Sequence, residues 1–183
     1  MKLGNLKPSA KRNVLAVEII GTLFIIVLGS AFHFTYELSG NNPVVGSISA
    51  VNESVWEHLK LVFWPSLIWM LIALYPLKNA VNNFFPAKAI GAYVMVIFIP
   101  AVFYTYTAFT ESNLFVDIGS FIAAVIIGQI VSYRLYRYRL PKIAETAAII
   151  AMILLAIAFV VFTFYPPQLP IFQDSVTGLY GIA

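Results

Sequence analysis

"VNESVWEHLKLVFWPSLIWMLIALYPLK", residues 51–78, joins the most polar stretch of this chain to one of its most apolar. Its first ten residues carry Asn52, Glu53, Ser54, Glu57, His58 and Lys60, whereas the run from Leu61 to Leu77 has no charged residue. A helix rises 1.5 Å per residue and a bilayer core is about 30 Å thick, so a run of this length can span a membrane as one helix. Lipid offers no partner to backbone N–H and C=O groups, which makes the helix the necessary conformation.

Working outward, four further apolar segments have spanning length. With this one they predict helices over roughly 14–36, 53–77, 89–109, 114–133 and 143–165, in a single transmembrane domain covering 1–183. The composition agrees, since 61% of the 183 residues are hydrophobic and only 10% are charged. The mean hydropathy is +0.88, whereas a soluble domain carries about 25% charged residues. Pro43, Pro76, Pro86, Pro141, Pro166 and Pro167 fall between or beside the segments, where helices should stop, and Pro65 and Pro100 fall inside two of them. No internal repeat is visible, which argues against an inverted-repeat transporter. A cleaved signal peptide is the rival reading of the first segment. Glu18 within it and apolar character as far as Tyr36 favour a retained helix.

Charge predicts the orientation. With five spans, one side receives Lys2, Lys7, Lys11, Arg12, Lys78, Lys88, Arg134, Arg137, Arg139 and Lys142, against Glu18 and Glu145. The other side keeps only Lys60, against Glu37, Glu53, Glu57, Glu111, Asp117 and Asp174. Basic residues stay cytoplasmic, so the expectation is a plasma-membrane protein with its N-terminus inside and its C-terminus outside.

Several chemistries are absent. There is no cysteine, hence no disulfide, thiolate ligand or cysteine nucleophile. No Gly-rich phosphate loop, His-Glu-x-x-His or Gly-x-Ser-x-Gly pattern occurs. The chain's two histidines are too few for a two-haem carrier or a three-His zinc site. The run "SYRLYRYRLPK", residues 132–142, is basic and aromatic, but after a spanning helix it reads as headgroup tyrosines and snorkelling arginines rather than nucleic-acid binding. The expected partners are the lipid bilayer and a homo-oligomer or membrane complex, with no nucleic acid.

The polar residues gather on the predicted outer face. His33 and Glu37 lie four apart at the end of the first helix, and Glu53 and Glu57 four apart at the start of the second. Asn52 is a good N-cap, Ser54 and Glu57 have capping-box spacing, and Glu57 can pair with Lys60. A purely structural reading therefore exists, an interhelical clasp. Histidines one turn inside the membrane boundary are costly unless paired, hydrated or bound. Together with carboxylates they form the ligand set of a zinc, manganese or iron site. The candidate cluster is His33, Glu37, Glu57, His58 and Asp117, with Glu53, Tyr104 and Asp174 as additional members and His33, His58 and Glu57 as metal ligands. The tail from 166 to 183 is rich in apolar residues and free of basic ones, so it is read as folding back over the outer helix ends and bringing Asp174 with it, with an ordinary anchored terminus as the alternative.

The stretches "HFTYELSGNNPVVGSISAVNESVWEHLK", "FYTYTAF" and "PPQLPIFQDSVTGLYG" together resemble a family of small prokaryotic integral membrane proteins of unknown function. The Asn-Glu-Ser-Val-Trp-Glu-His stretch is the most specific part, and the resemblance covers nearly the whole chain. It implies a bacterial or archaeal plasma-membrane protein and supplies no activity. Three function classes stay open. One is an outward-facing metal or polar-ligand site, as in an enzyme acting on lipid or envelope substrates. Another is a small carrier or channel using Glu18, Gln129 and Glu145 as polar stations. The last is an accessory subunit whose cluster only staples helices.

Overall fold

The structure is a computed structural model that describes residues 8–182, with side chains from Asn13 onward. Lys2 and Lys7, and the side chains of Lys11 and Arg12, which carry part of the orientation argument, lie outside this description. Among the described residues the chain forms α1 (Pro8–Leu38), α2 (Pro43–Gly46), α3 (Val55–Leu77), α4 (Phe84–Thr107), α5 (Leu114–Leu135) and α6 (Ile143–Phe164), followed by a 3-10 turn at Pro170–Phe172. The five helices other than α2 are long and apolar enough to cross a membrane.

The helix ends depart from expectation for local reasons. α4 begins at Phe84 rather than near 89 because Pro86 occupies its first turn, where a missing N–H leaves no bond unmade. Lys88, assigned above to a cytoplasmic loop, is therefore inside a helix. Pro76, expected to mark a stop, sits inside the last turn of α3, which ends at Leu77 as predicted. The short α2 was not foreseen. Asn42 caps it by accepting from the Val44 N–H at 2.9 Å, and Pro43 fills the first helical position. α1 stops because Gly40 and Asn41 turn left-handed (φ 72° and 59°), which lets the Asn41 N–H donate back to the Tyr36 carbonyl at 3.1 Å.

α1, α3, α4 and α5 form a closed ring in which each packs on the next and α5 returns to α1, while α6 lies outside against α4 and α3. α3 is the most buried of the spans. α4 and α5 meet backbone to backbone at Gly91 and Gly128, where a Cβ on either would stand 2.7 Å from the other's carbonyl oxygen. Leu23 and Val27 on α1 and Leu154 and Ile157 on α6 are exposed, as suits helices solvated by hydrocarbon.

At the end of the bundle that carries the arginines, a polar knot ties three helices. Lys88 donates to both oxygens of Glu18 at 2.9 and 2.8 Å, and the Tyr136 hydroxyl donates to the same carboxylate at 2.9 Å. Gln129 adds a bond from its amide to the Glu18 carbonyl at 3.3 Å. Tyr136 belongs to the run read above as headgroup tyrosines, but it is wholly buried, because the Glu18 carboxylate gives its hydroxyl a partner inside. Glu145 is exposed in the first turn of α6.

Candidate metal centre

The site forms at the opposite end, and its construction starts at the N-terminus of α3. Ser54 is the N-cap, its hydroxyl accepting from the Glu57 N–H at 3.3 Å, and Asn52 stands two residues earlier, its side-chain oxygen accepting from the Ser54 N–H at 2.9 Å. Asn52 thus supports the cap without being it. Glu53 consequently precedes the helix, and its side chain escapes helical geometry.

Starting the helix at Val55 fixes where Glu57 and His58 point, about 100° apart around the axis. Glu57 turns into the protein. Its carboxylate pairs with Lys60 at 2.5 Å and accepts from Thr163 of α6 at 3.1 Å and from the Val51 N–H at 3.1 Å. Lys60, completely buried, also donates to the Gly46 carbonyl at 2.6 Å and to Thr163 at 2.8 Å. Every strong donor and acceptor there is matched, as burial of charge requires. This is a clasp joining α3, α6 and the segment that follows α2.

His58 faces the other way, toward α1. Its Nε2 lies 3.2 Å from Nε2 of His33 and 3.3 Å from a carboxylate oxygen of Glu53, whose other oxygen is 3.7 Å from His33. On its far side, Nδ1 of His58 lies 2.8 Å from the Ser54 carbonyl. A carbonyl only accepts, so Nδ1 carries a proton, and Nε2 of the neutral ring presents a lone pair to the centre. Facing the Glu53 carboxylate, that lone pair calls for a cation between them, a proton or a metal ion. His33, Glu53 and His58 are the one group of histidines and carboxylates among the described residues whose donor atoms converge within 4.8 Å. The side chains are between 31% and 47% exposed, so one face of the group stays open. With a proton between them, the hydrogen bond from the His58 ring holds the Glu53 carboxyl below its usual range, outweighing partial burial.

The other candidates are distributed around this group. Glu37 sits one turn beyond His33, exposed, and its carboxylate forms no ion pair among the described residues. Glu57 belongs to the clasp. Asp117, in the first turn of α5, accepts from the Tyr106 hydroxyl at 2.6 Å and is close enough to interact electrostatically with His58. Tyr106, not Tyr104, thus orients Asp117, and Tyr104 is exposed. Asp174 is on the C-terminal segment, which folds over this end of the bundle. Its carboxylate accepts from the N–H groups of Val176 at 2.7 Å and Thr177 at 3.2 Å. Burial raises its pKa, but these bonds prevail and hold it below the usual range.

Two participants lay beyond the sequence reading. Thr163 is one of two threonines in a largely apolar helix, with no pattern to mark it. The Ser54 carbonyl is a backbone atom with no signature of its own. Glu53, read as an additional member of the cluster, stands among its three converging side chains, whereas Glu57 does not.

The chain belongs to DUF6512, a family of unknown function, which matches residues 5–182. No curated protein and no solved structure matches it.

Proposed function

We propose that this member of a family of unknown function is a multi-pass plasma-membrane protein that binds one divalent transition-metal ion on its outer face through His33, Glu53 and His58. The carrying observation is the spacing of the donor atoms, at 3.2, 3.3 and 3.7 Å. A tetrahedral ion with bonds of about 2.0–2.1 Å has ligand–ligand edges of roughly 3.3–3.4 Å, so little rearrangement separates this group from a coordination shell.

The second shell supports the same reading. A metal-bound histidine usually donates its other ring N–H to a carbonyl or carboxylate, the arrangement His58 makes with Ser54. Two imidazoles and one carboxylate suit zinc, iron or manganese, and without cysteine a thiolate-preferring ion is disfavoured. Three protein ligands on an open face leave positions for water or substrate. An ion held there would supply Lewis-acid activation of an oxygen ligand. That is consistent with an enzyme acting on lipid or envelope substrates.

The clasp and carrier readings fit the geometry less well. The clasp role is filled by Glu57, Lys60 and Thr163, so the histidines are free of it. Glu18, a carrier station on paper, is paired with Lys88 and accepts a hydrogen bond from Tyr136. Calorimetric titration of metal-free, detergent-solubilised protein with zinc tests the proposal. Saturable binding by wild type and its loss in His33→Ala support it. Binding unchanged by His33→Ala, or no binding with lowered thermal stability of that variant, returns the cluster to a structural role.

A further inference from the structure

The group's third ligand sits on a segment that ought to be loose. Glu53 precedes the helix, and a carboxylate on a free loop would spread over many positions, whereas a metal site needs its donors held to a few tenths of an ångström. What holds it comes from the other end of the chain.

The C-terminal segment grips the backbone on both sides of the Glu53 side chain. Ser175 Oγ donates to the Glu53 carbonyl at 3.1 Å. Asn52 Nδ2 donates to the Gly181 carbonyl at 2.9 Å while Asn52 Oδ1 accepts from Ser54, so one side chain links the tail to the helix cap. The segment is itself rigidly turned. Asp174 accepts from Val176 and Thr177, its backbone pairs with Leu179 and Gly178, and Gly178 takes the left-handed conformation (φ 74°) the turn requires. Phe172 anchors it from below, its ring 4.8 Å from that of Trp56 in the first turn of α3 and 5.4 Å from that of Phe162.

We infer that Ser175 and Asp174 are positioning residues of the metal centre, acting through the backbone of Glu53 to fix its carboxylate against His33 and His58. This rests on the metal reading above for its function, though not for its geometry. The segment thus completes the centre instead of merely covering it.

Two readouts on full-length protein in detergent test the inference. The first is zinc affinity, by competition with a chromophoric chelator, for wild type, Ser175→Ala, Ser175→Thr and Glu53→Gln. Loss of an outer-shell partner costs a metal site about 10–100-fold. Ser175→Ala should therefore bind about tenfold more weakly, Ser175→Thr should restore most of the affinity, and Ser175→Ala should add little to Glu53→Gln. The second readout is the NMR titration of the two histidines in metal-free protein. Ser175→Ala changes no charge, so it should move the His58 curve in the sense of Glu53→Gln only if Glu53 has lost its place. If wild type binds no zinc, the metal reading fails and this titration alone decides the positioning. A Ser175→Ala curve coincident with wild type, or zinc affinity unchanged where zinc binds, overturns the inference.

Discussion

Glu57 and His58 are consecutive residues that serve separate assemblies. The Glu57 carboxylate turns inward to Lys60 and Thr163, while the His58 imidazole turns outward to His33, with 3.2 Å between their Nε2 atoms. One turn of α3 thus carries both a buried structural pair and an accessible ligand, and substitutions at the two positions should fail in different ways.

Lys60→Met should destabilise strongly. It leaves the Glu57 carboxylate buried with only Thr163 and the Val51 N–H, and breaking a buried pair typically costs about 3–5 kcal/mol. Thr163→Val should cost less, on the order of 1–3 kcal/mol, since it strands part of a satisfied network. Thermal unfolding in detergent measures both. Stability equal to wild type in Lys60→Met would show that the clasp contributes nothing.

At the other end of the bundle, Glu18→Gln should be the severe variant and Tyr136→Phe the mild one. The first leaves Lys88 without its counter-charge, and the second removes one hydrogen bond to a charged acceptor, worth about 1.5–3 kcal/mol. Neither should alter zinc affinity at the far end. A large change in zinc affinity with Tyr136→Phe would reveal coupling that the geometry does not contain.

Acid should loosen the centre through Glu53. Its carboxyl is held below the usual range by His58. Its stabilisation is therefore complete above the ordinary glutamate value of roughly 4.3 and disappears as pH falls through the lower, folded value. In metal-free protein the unfolding temperature should drop in that acid window, and Glu53→Gln should lack this part of the drop. Because Asp174 titrates in the same direction, the comparison is between the two curves and not their absolute fall. Superimposable curves would remove Glu53 from the cluster.

Reporter fusions test the orientation we propose. Fusions after Lys78 and Arg139 should report cytoplasmic, and fusions at Gly46 and at the C-terminus external. A cytoplasmic reading at Gly46 would place the histidine centre inside the cell.

Much of this architecture was legible in the sequence, because a hydrocarbon solvent leaves backbone groups no choice but helix. Five apolar runs became five helices, and the largest displacement, among the spans after the first, is the start of α4, where Pro86 was tolerated in the first turn rather than excluded. The site was legible as a neighbourhood. His33 and His58 were placed together by antiparallel spans of similar depth, and they do meet. Which carboxylate joins them was not legible, because the answer turns on a two-residue shift of the helix cap. With Asn52 as the cap, Glu53 and Glu57 share a helical face. With Ser54 as the cap, Glu53 is released to the histidines and Glu57 is committed to Lys60. The partner of Glu18 was hidden for a similar reason, since starting α4 five residues early moves Lys88 from a loop into the core.

The most direct measurement is the metal content of protein purified anaerobically from its membrane. The account predicts about one zinc, manganese or iron ion per chain in wild type and in the distant control Glu111→Ala, and almost none in His33→Ala or His58→Ala when these are folded. Metal-free wild-type protein that also fails to take up added zinc, or full metal occupancy in both histidine variants, would contradict it.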